Sequence, residues 1–250
     1  MIDLNDPVWG TLHAAVSSYQ NVLRDLAEGR GDLRENIEVL AEDLSHQLSW
    51  YDATAYVLPH LGALCGTLED GDCVYLLAQL GAAIAAEASC PLEPDSEAHR
   101  EFHEGLAILA QEARRLIVDP TVQEMLGQDT ELAQMFALSA LALLGDRRHA
   151  YDLFLLSAYC WQDGHAACAC GWNNEEFPLL EADCILPAQI APWDGKHLTD
   201  EAVWFSGLLA LAGDEEIAPA LPRVYGAGVC PQCGKKEPYW AWLDRFMEEY

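Results

Sequence analysis

Residues 32–50, DLRENIEVLAEDLSHQLSW, decide the fold class. Apolar side chains recur at Leu33, Ile37, Leu40, Leu44 and Leu48, in steps of three and four that share one face of a helix. Glu35, Glu38, Glu42 and Asp43 are expected away from that face, and Asp32 is placed to cap the helix N-terminus.

The same period extends outward. YDATAYVLPHLGALCG (51–66) starts almost at once and carries Pro59 in its interior, where the missing N–H is expected to bend or interrupt a helix. DGDCVYLLAQLGAAIAAEA (70–88) is apolar nearly all round, which predicts a central helix. In DSEAHREFHEGLAILAQEARRLIVD (95–119) the apolar face runs through Ala98, Phe102, Leu106, Leu109, Ala113 and Leu116 and stops before Pro120. TELAQMFALSALALLGD (130–146) reads as a helix capped by Thr130 and ended at Gly145, with a shorter one in RRHAYDLFLLSAYCW (147–161). Further helices are expected from Thr199, a capping residue, to 214 and in 214–228. A last one is expected in PYWAWLDRFMEEY (238–250), with Pro238 at its first position.

Between about 160 and 198 this period disappears. Turn residues crowd CWQDGHAACACGWNNEEFPLLEADCILPAQIAPWDGKH, which predicts short strands or irregular chain. The expected organisation is therefore a helical region over 1–159 and a C-terminal region over 160–250, packed as one continuous domain.

The second region holds the clearest chemical signal. GVCPQCGKKEP (228–238) contains Cys-Pro-x-Cys-Gly, a turn that brings two sulfurs together and aims backbone N–H groups at them. Its counterpart is CACG, with Cys168 and Cys170 about 60 residues earlier and again followed by glycine. Cys168, Cys170, Cys230 and Cys233 are the predicted ligands of a tetrahedral Zn2+ site, with His165 or Cys160 as alternates because Cys-x-Cys is tighter than the usual knuckle spacing. Four thiolates leave no open coordination position, so the metal is expected to be structural.

Composition narrows the function classes. Of 250 residues 51% are apolar, which excludes a disordered chain; 41 acidic against 13 basic residues give a formal net charge of −28. That field repels nucleic-acid phosphates and anionic lipids and favours a basic protein partner. Arg114, Arg115, Arg147 and Arg148 are the candidates for a local basic patch that would escape a whole-chain count. No apolar run reaches the roughly 18 residues of a membrane span, and MIDLNDPVWG has neither the basic nor the apolar region of a secretory signal. With nine cysteines, reduced thiols plus one metal site in a cytoplasmic protein are expected, Cys65 and Cys73 being small buried thiols.

Nucleotide-binding glycine loops and the Gly-x-Ser-x-Gly nucleophile turn are absent. His99 and His103 have a chelating spacing, but in HREFH the glutamate of a zinc protease is missing, and both read as solvated. Trp161, Trp172, Trp193, Trp204, Trp240 and Trp242 crowd the C-terminal part and are expected to complete a small core.

Leu-Pro recurs inside two short helical segments, LPHLGAL (58–64) and LPRVYGAG (221–228). Together with the helix-pair rhythm this resembles HEAT-like α-helical repeats, over residues 17–158 and 199–226, with an inserted zinc-ribbon-like element of four cysteines. For that family the resemblance implies stacked helix pairs in an α-α superhelix whose concave face binds another macromolecule. A compact helical bundle is the alternative. The expected function is a non-enzymatic, acidic protein–protein interaction module, of the kind that an immunity or antitoxin-type inhibitor of a basic protein would use. A zinc-dependent or other hydrolytic enzyme and a scaffold with an apolar groove are the competing classes.

Overall fold

The computed structural model describes residues 1–250 except 17, 47–48, 50, 87–91, 94–95, 159–162, 216 and 250, and except the side chains of 158, 248 and 249. Among the described residues the chain is mainly α, with small antiparallel sheets. It divides into two compact units, Met1–Tyr151 and Asp152–Tyr250.

The first unit is helical. After a 3-10 turn at Pro7–Gly10 come α1 (Tyr19–Glu28), α2 (Leu33–Ser45), α3 (Asp52–Cys65), α4 (Asp70–Ala85), α5 (Glu97–Ile117), α6 (Pro120–Leu126) and α7 (Thr130–Leu144). α8 (Arg147–Ala158) crosses the division. The expected faces are the buried ones: Ile37, Leu40 and Leu44 on α2, and Phe102, Leu106, Leu109, Ala113 and Leu116 on α5. α4 packs against both α2 and α7, as its all-round apolar surface requires, while α3 packs against α5. The α3–α5 approach is very close. A Cβ on Gly105 would stand 2.7 Å from the Pro59 Cα, and one on Gly62 3.0 Å from the Gly105 carbonyl oxygen. Backbone meets backbone there, so any larger residue at Gly105 must push the helices apart.

Several expectations are corrected. α3 runs unbroken through Pro59, which is buried. The caps are aspartates one residue from the expected threonines or, at Thr199, just after it. Asp129 accepts from the Leu132 N–H and Asp200 from the Val203 N–H, since a carboxylate also interacts favourably with the helix dipole. Asp32 caps α2 as expected. Pro120, expected only as a stop, opens α6 at its first position behind the Asp119 cap. Asp43, expected away from the apolar face, is buried. It accepts the Ser18 hydroxyl at 2.8 Å, and desolvation raises its pKa. Cys65 and Cys73 are not free thiols. The short α3–α4 turn brings their Cα atoms to 5.3 Å, and the two are joined by a disulfide.

The second unit mixes short strands with helices. β1 (Gly164–Ala167) pairs antiparallel with β2 (Asn173–Phe177). β3 (Ile185–Leu186), β4 (Ala227–Val229) and β5 (Lys236–Pro238) form a three-stranded antiparallel sheet in that order. Helices α9 (Glu201–Leu211) and α10 (Ile217–Val224) lie between β3 and β4 in the chain and pack on each other, and α11 (Trp240–Glu249) packs on β1. Pro238 ends β5 instead of opening α11; β5 is a sheet edge, where a residue without an N–H is tolerated.

Candidate metal centre

Each hairpin carries its two cysteines at the tip. In the first, Cys168 follows β1 directly. Its N–H donates to the Trp172 carbonyl at 2.7 Å, and the Gly171 N–H donates to the Cys168 carbonyl at 2.9 Å. The second repeats the scheme. The Cys230 N–H donates to the Lys235 carbonyl at 2.9 Å and the Gly234 N–H to the Cys230 carbonyl at 2.8 Å. Both turns close through a left-handed glycine, Gly171 at φ 90° and Gly234 at φ 72°, which is why glycine follows the second cysteine of each pair.

The two tips meet. Cys168, Cys170, Cys230 and Cys233 have all four sulfurs within 4.8 Å of one another, and among the described residues they are the group of three or more ligating side chains that could hold a metal ion. The cross-hairpin pairs are Cys168–Cys233 at 3.8 Å and Cys170–Cys230 at 3.7 Å. A tetrahedron of thiolates about 2.3 Å from a central ion has edges of about 3.8 Å, so the donor set fits a four-coordinate metal. Cys168 and Cys230 are buried; Cys170 and Cys233 are exposed.

Electrostatics favours the thiolate form at one vertex. Burial raises the Cys230 pKa, but N–H groups of Cys233 and Gln232 aimed at its sulfur, together with the neighbouring thiols, bring it down to about 7. At Cys168 the Cys170 N–H favours ionisation, but burial and the adjacent thiols outweigh it and push the thiol up to about 12. Crowded sulfurs cannot all ionise without a cation between them, and a bound metal supplies that charge. Lys235 adds a positive group at the rim; its own pKa is raised by Glu237 and, to a lesser extent, by Cys168.

A second set of contacts binds the hairpins behind the sulfurs. Arg245 on α11 donates to the Ala167 carbonyl at 3.1 Å, one residue before Cys168. The same guanidinium grips Glu237 of β5 through two bonds of 2.5 and 2.7 Å. Glu237, whose side chain is only 9% exposed, also accepts from Trp242 Nε1 at 3.0 Å and pairs with Lys235. Arg245 first, and Lys235 after it, hold the Glu237 carboxyl at a pKa of about 2. Under both tips lies an aromatic core. Trp172 meets Trp242 edge-on at 5.2 Å, and Phe177 and Tyr239 close the group at 6.0 to 6.4 Å from Trp242. The Tyr239 hydroxyl donates to the His165 carbonyl at 3.0 Å, and burial raises its pKa strongly.

The alternates fare differently. His165 stands outside the sulfur cluster, its ring stacked on Phe246 at 4.4 Å, because β1 directs it toward α11. Cys160 and Trp161 lie outside the described residues. Glu237 and Arg245 escape a reading of the sequence. One acid and one arginine eight apart carry no period or motif, and only the strand–turn–helix join brings them face to face.

The chain was compared with known protein families, curated proteins and solved structures. None of the three comparisons gives a match. No helix of the described residues is long and apolar enough to cross a membrane.

Proposed function

We propose that the protein is a non-enzymatic docking module with a strongly acidic surface, whose C-terminal unit is clasped by one structural Zn2+ on Cys168, Cys170, Cys230 and Cys233. The observation that carries the metal reading is the near-tetrahedral spacing of four sulfurs from two hairpin tips. Zinc is preferred over other ions because it takes four thiolates in a tetrahedron without geometric penalty. Four protein ligands fill its coordination, so the ion serves as a clasp and not as a Lewis acid.

The docking reading rests on charge. Many cations are consumed internally. Arg30 pairs with Asp25 and Glu28, Arg34 with Asp72, and Arg115 with Asp70 and Glu112. Arg147 donates to the Ala142 carbonyl and its pKa is lowered by burial. One arginine of each pair that could form a basic patch is thus tied into the fold, and the uncompensated charge of the chain is negative. A basic protein of the kind that an immunity or antitoxin-type inhibitor masks fits such a surface. Stacking of α2, α4 and α7 in one row, with α3 on α5 in another, accords with the HEAT-like resemblance of the helical region.

The test is the salt dependence of binding to a basic protein isolated on the immobilised chain from its own cells. Association should slow steeply as salt rises from about 20 to 500 mM, across which the screening length shrinks several-fold. Binding of equal rate and affinity at both ends would defeat the acidic-docking reading.

A scaffold with an apolar groove is a second reading. In the C-terminal unit a cleft of about 500 Å³ is lined by Ile190, Pro192, Trp193, Gly207, Leu211 and Pro222. A partner held there would bind independently of salt and lose affinity in Leu211→Glu.

A further inference from the structure

His99 and His103 lie four apart on α5, so both rings project from one face of the helix. Their Nε2 atoms are 3.1 Å apart, with ring centroids at 4.4 Å and planes inclined by 69°. Two imidazole nitrogens about 2.0–2.1 Å from one ion stand about 3.0 Å apart in adjacent octahedral or square positions, and about 3.4 Å apart in a tetrahedron. The observed spacing falls between the two.

The helix backbone is fixed under one residue and the ring of the other is packed. The His99 N–H donates at 3.1 Å to the Ser96 hydroxyl that caps the helix, which fixes the backbone beneath that ring. The His103 ring meets the fully buried Phe102 ring edge-on at 5.2 Å. A chelating pair ordered before binding loses little entropy when an ion arrives. Without a metal, the same approach needs one N–H facing one bare nitrogen, and a second proton would set two N–H groups against each other. Desolvation first, and the neighbouring His99 after it, lower the His103 pKa.

We propose that His99 and His103 form a second metal site, a bidentate imidazole pair for a late first-row divalent ion such as Zn2+, Ni2+ or Cu2+. It belongs to the helical unit, uses nitrogen donors and leaves the remaining coordination positions open to solvent or to a ligand from another molecule. It therefore differs in kind from the closed four-sulfur centre and does not depend on what that centre holds.

The test uses the full-length purified protein and Ni2+ as probe. Calorimetric titration is paired with spectra of 15N-labelled imidazoles, in which a bound paramagnetic ion broadens nearby rings. His99 and His103 should broaden before the other histidines. His99→Gln and His103→Gln should each weaken binding on the order of a hundredfold, because a single imidazole lacks the intramolecular second bond. His46→Gln should leave the affinity unchanged. Far-ultraviolet dichroism checks that each variant is folded; the exposed His103→Gln keeps the test available should His99→Gln not fold. First broadening at another histidine, unchanged affinity in a folded His99 or His103 variant, or no saturation below about 1 mM would each overturn the proposal.

Discussion

The helical unit, Met1–Tyr151, and the knuckle unit, Asp152–Tyr250, are stabilised by opposite means. In the first, long amphipathic helices bury Leu, Ala and Phe in continuous stripes, and α4 is enclosed by its neighbours. Helix hydrogen bonds are satisfied locally, so packing of these stripes, with the Cys65–Cys73 disulfide, orders the chain. In the second, strands of two to five residues cannot hold a sheet by themselves. Their order comes from the sulfur cluster, the Glu237–Arg245 grip and the aromatic group under the tips. A structure dispersed over many weak contacts tolerates single losses, whereas one concentrated in a few strong contacts does not.

The largest expected difference follows from removing the proposed Zn2+. Structural zinc contributes about 10–16 kcal/mol in small zinc-folded peptides. Chelation, or Cys230→Ser, should therefore abolish amide protection over 164–177 and 227–238 and the near-ultraviolet signal of Trp172 and Trp242. Amides of α4 and α7 should keep their protection, as read by hydrogen exchange. Uniform loss across both units would erase the contrast.

Next comes Trp242→Ala, which deletes the hub of the aromatic group. Truncation of a fully buried aromatic costs about 3–5 kcal/mol. The midpoint of denaturant unfolding of the knuckle unit should fall accordingly, with helical signals in α4 and α7 unmoved.

Glu237→Gln should cost about 2–3 kcal/mol, somewhat below a fully buried pair because Arg245 keeps partial exposure. Its pH dependence sharpens the assignment. The carboxyl is held at about 2, below its ordinary 4.5, so its contribution is fully present above pH 4.5 and is lost as pH falls toward 2. Both proteins protonate their thiolates in acid, so the difference between them isolates the carboxylate. The stability gap between wild type and variant should be constant from about pH 7 to 5 and close below.

The smallest expected change lies in the helical unit. Gly105→Ala places a methyl against the Pro59 backbone and should cost about 1–3 kcal/mol. Metal content should be unaltered, and a thermal melt with metal analysis decides both points.

Legibility in the sequence follows the same division. Helices of the first unit are readable because a 3.6-residue period repeats over many turns, as in Ile37, Leu40 and Leu44. Errors fall where a tertiary contact outranks the pattern. Asp43 is polar by type, yet Ser18 gives it a buried partner, and Cys65 meets Cys73 only because a short turn folds back. The four cysteines are legible because a knuckle needs cysteine and glycine at fixed local spacing. Their support is not: Glu237, Arg245 and Trp242 meet through the join of β5 to α11, a geometry that no local pattern encodes. His99 and His103 are visible as a spacing, but solvation and chelation look alike until the facing of the two rings is known.

The most direct measurement is sulfur and zinc coordination by X-ray absorption on the purified full-length chain, with metal stoichiometry. The expected result is one zinc per chain, surrounded by four sulfurs at about 2.3 Å with no light-atom ligand. Three or fewer sulfurs with an exchangeable oxygen, or substoichiometric metal in a protein whose 164–177 and 227–238 amides remain protected, would contradict the clasp.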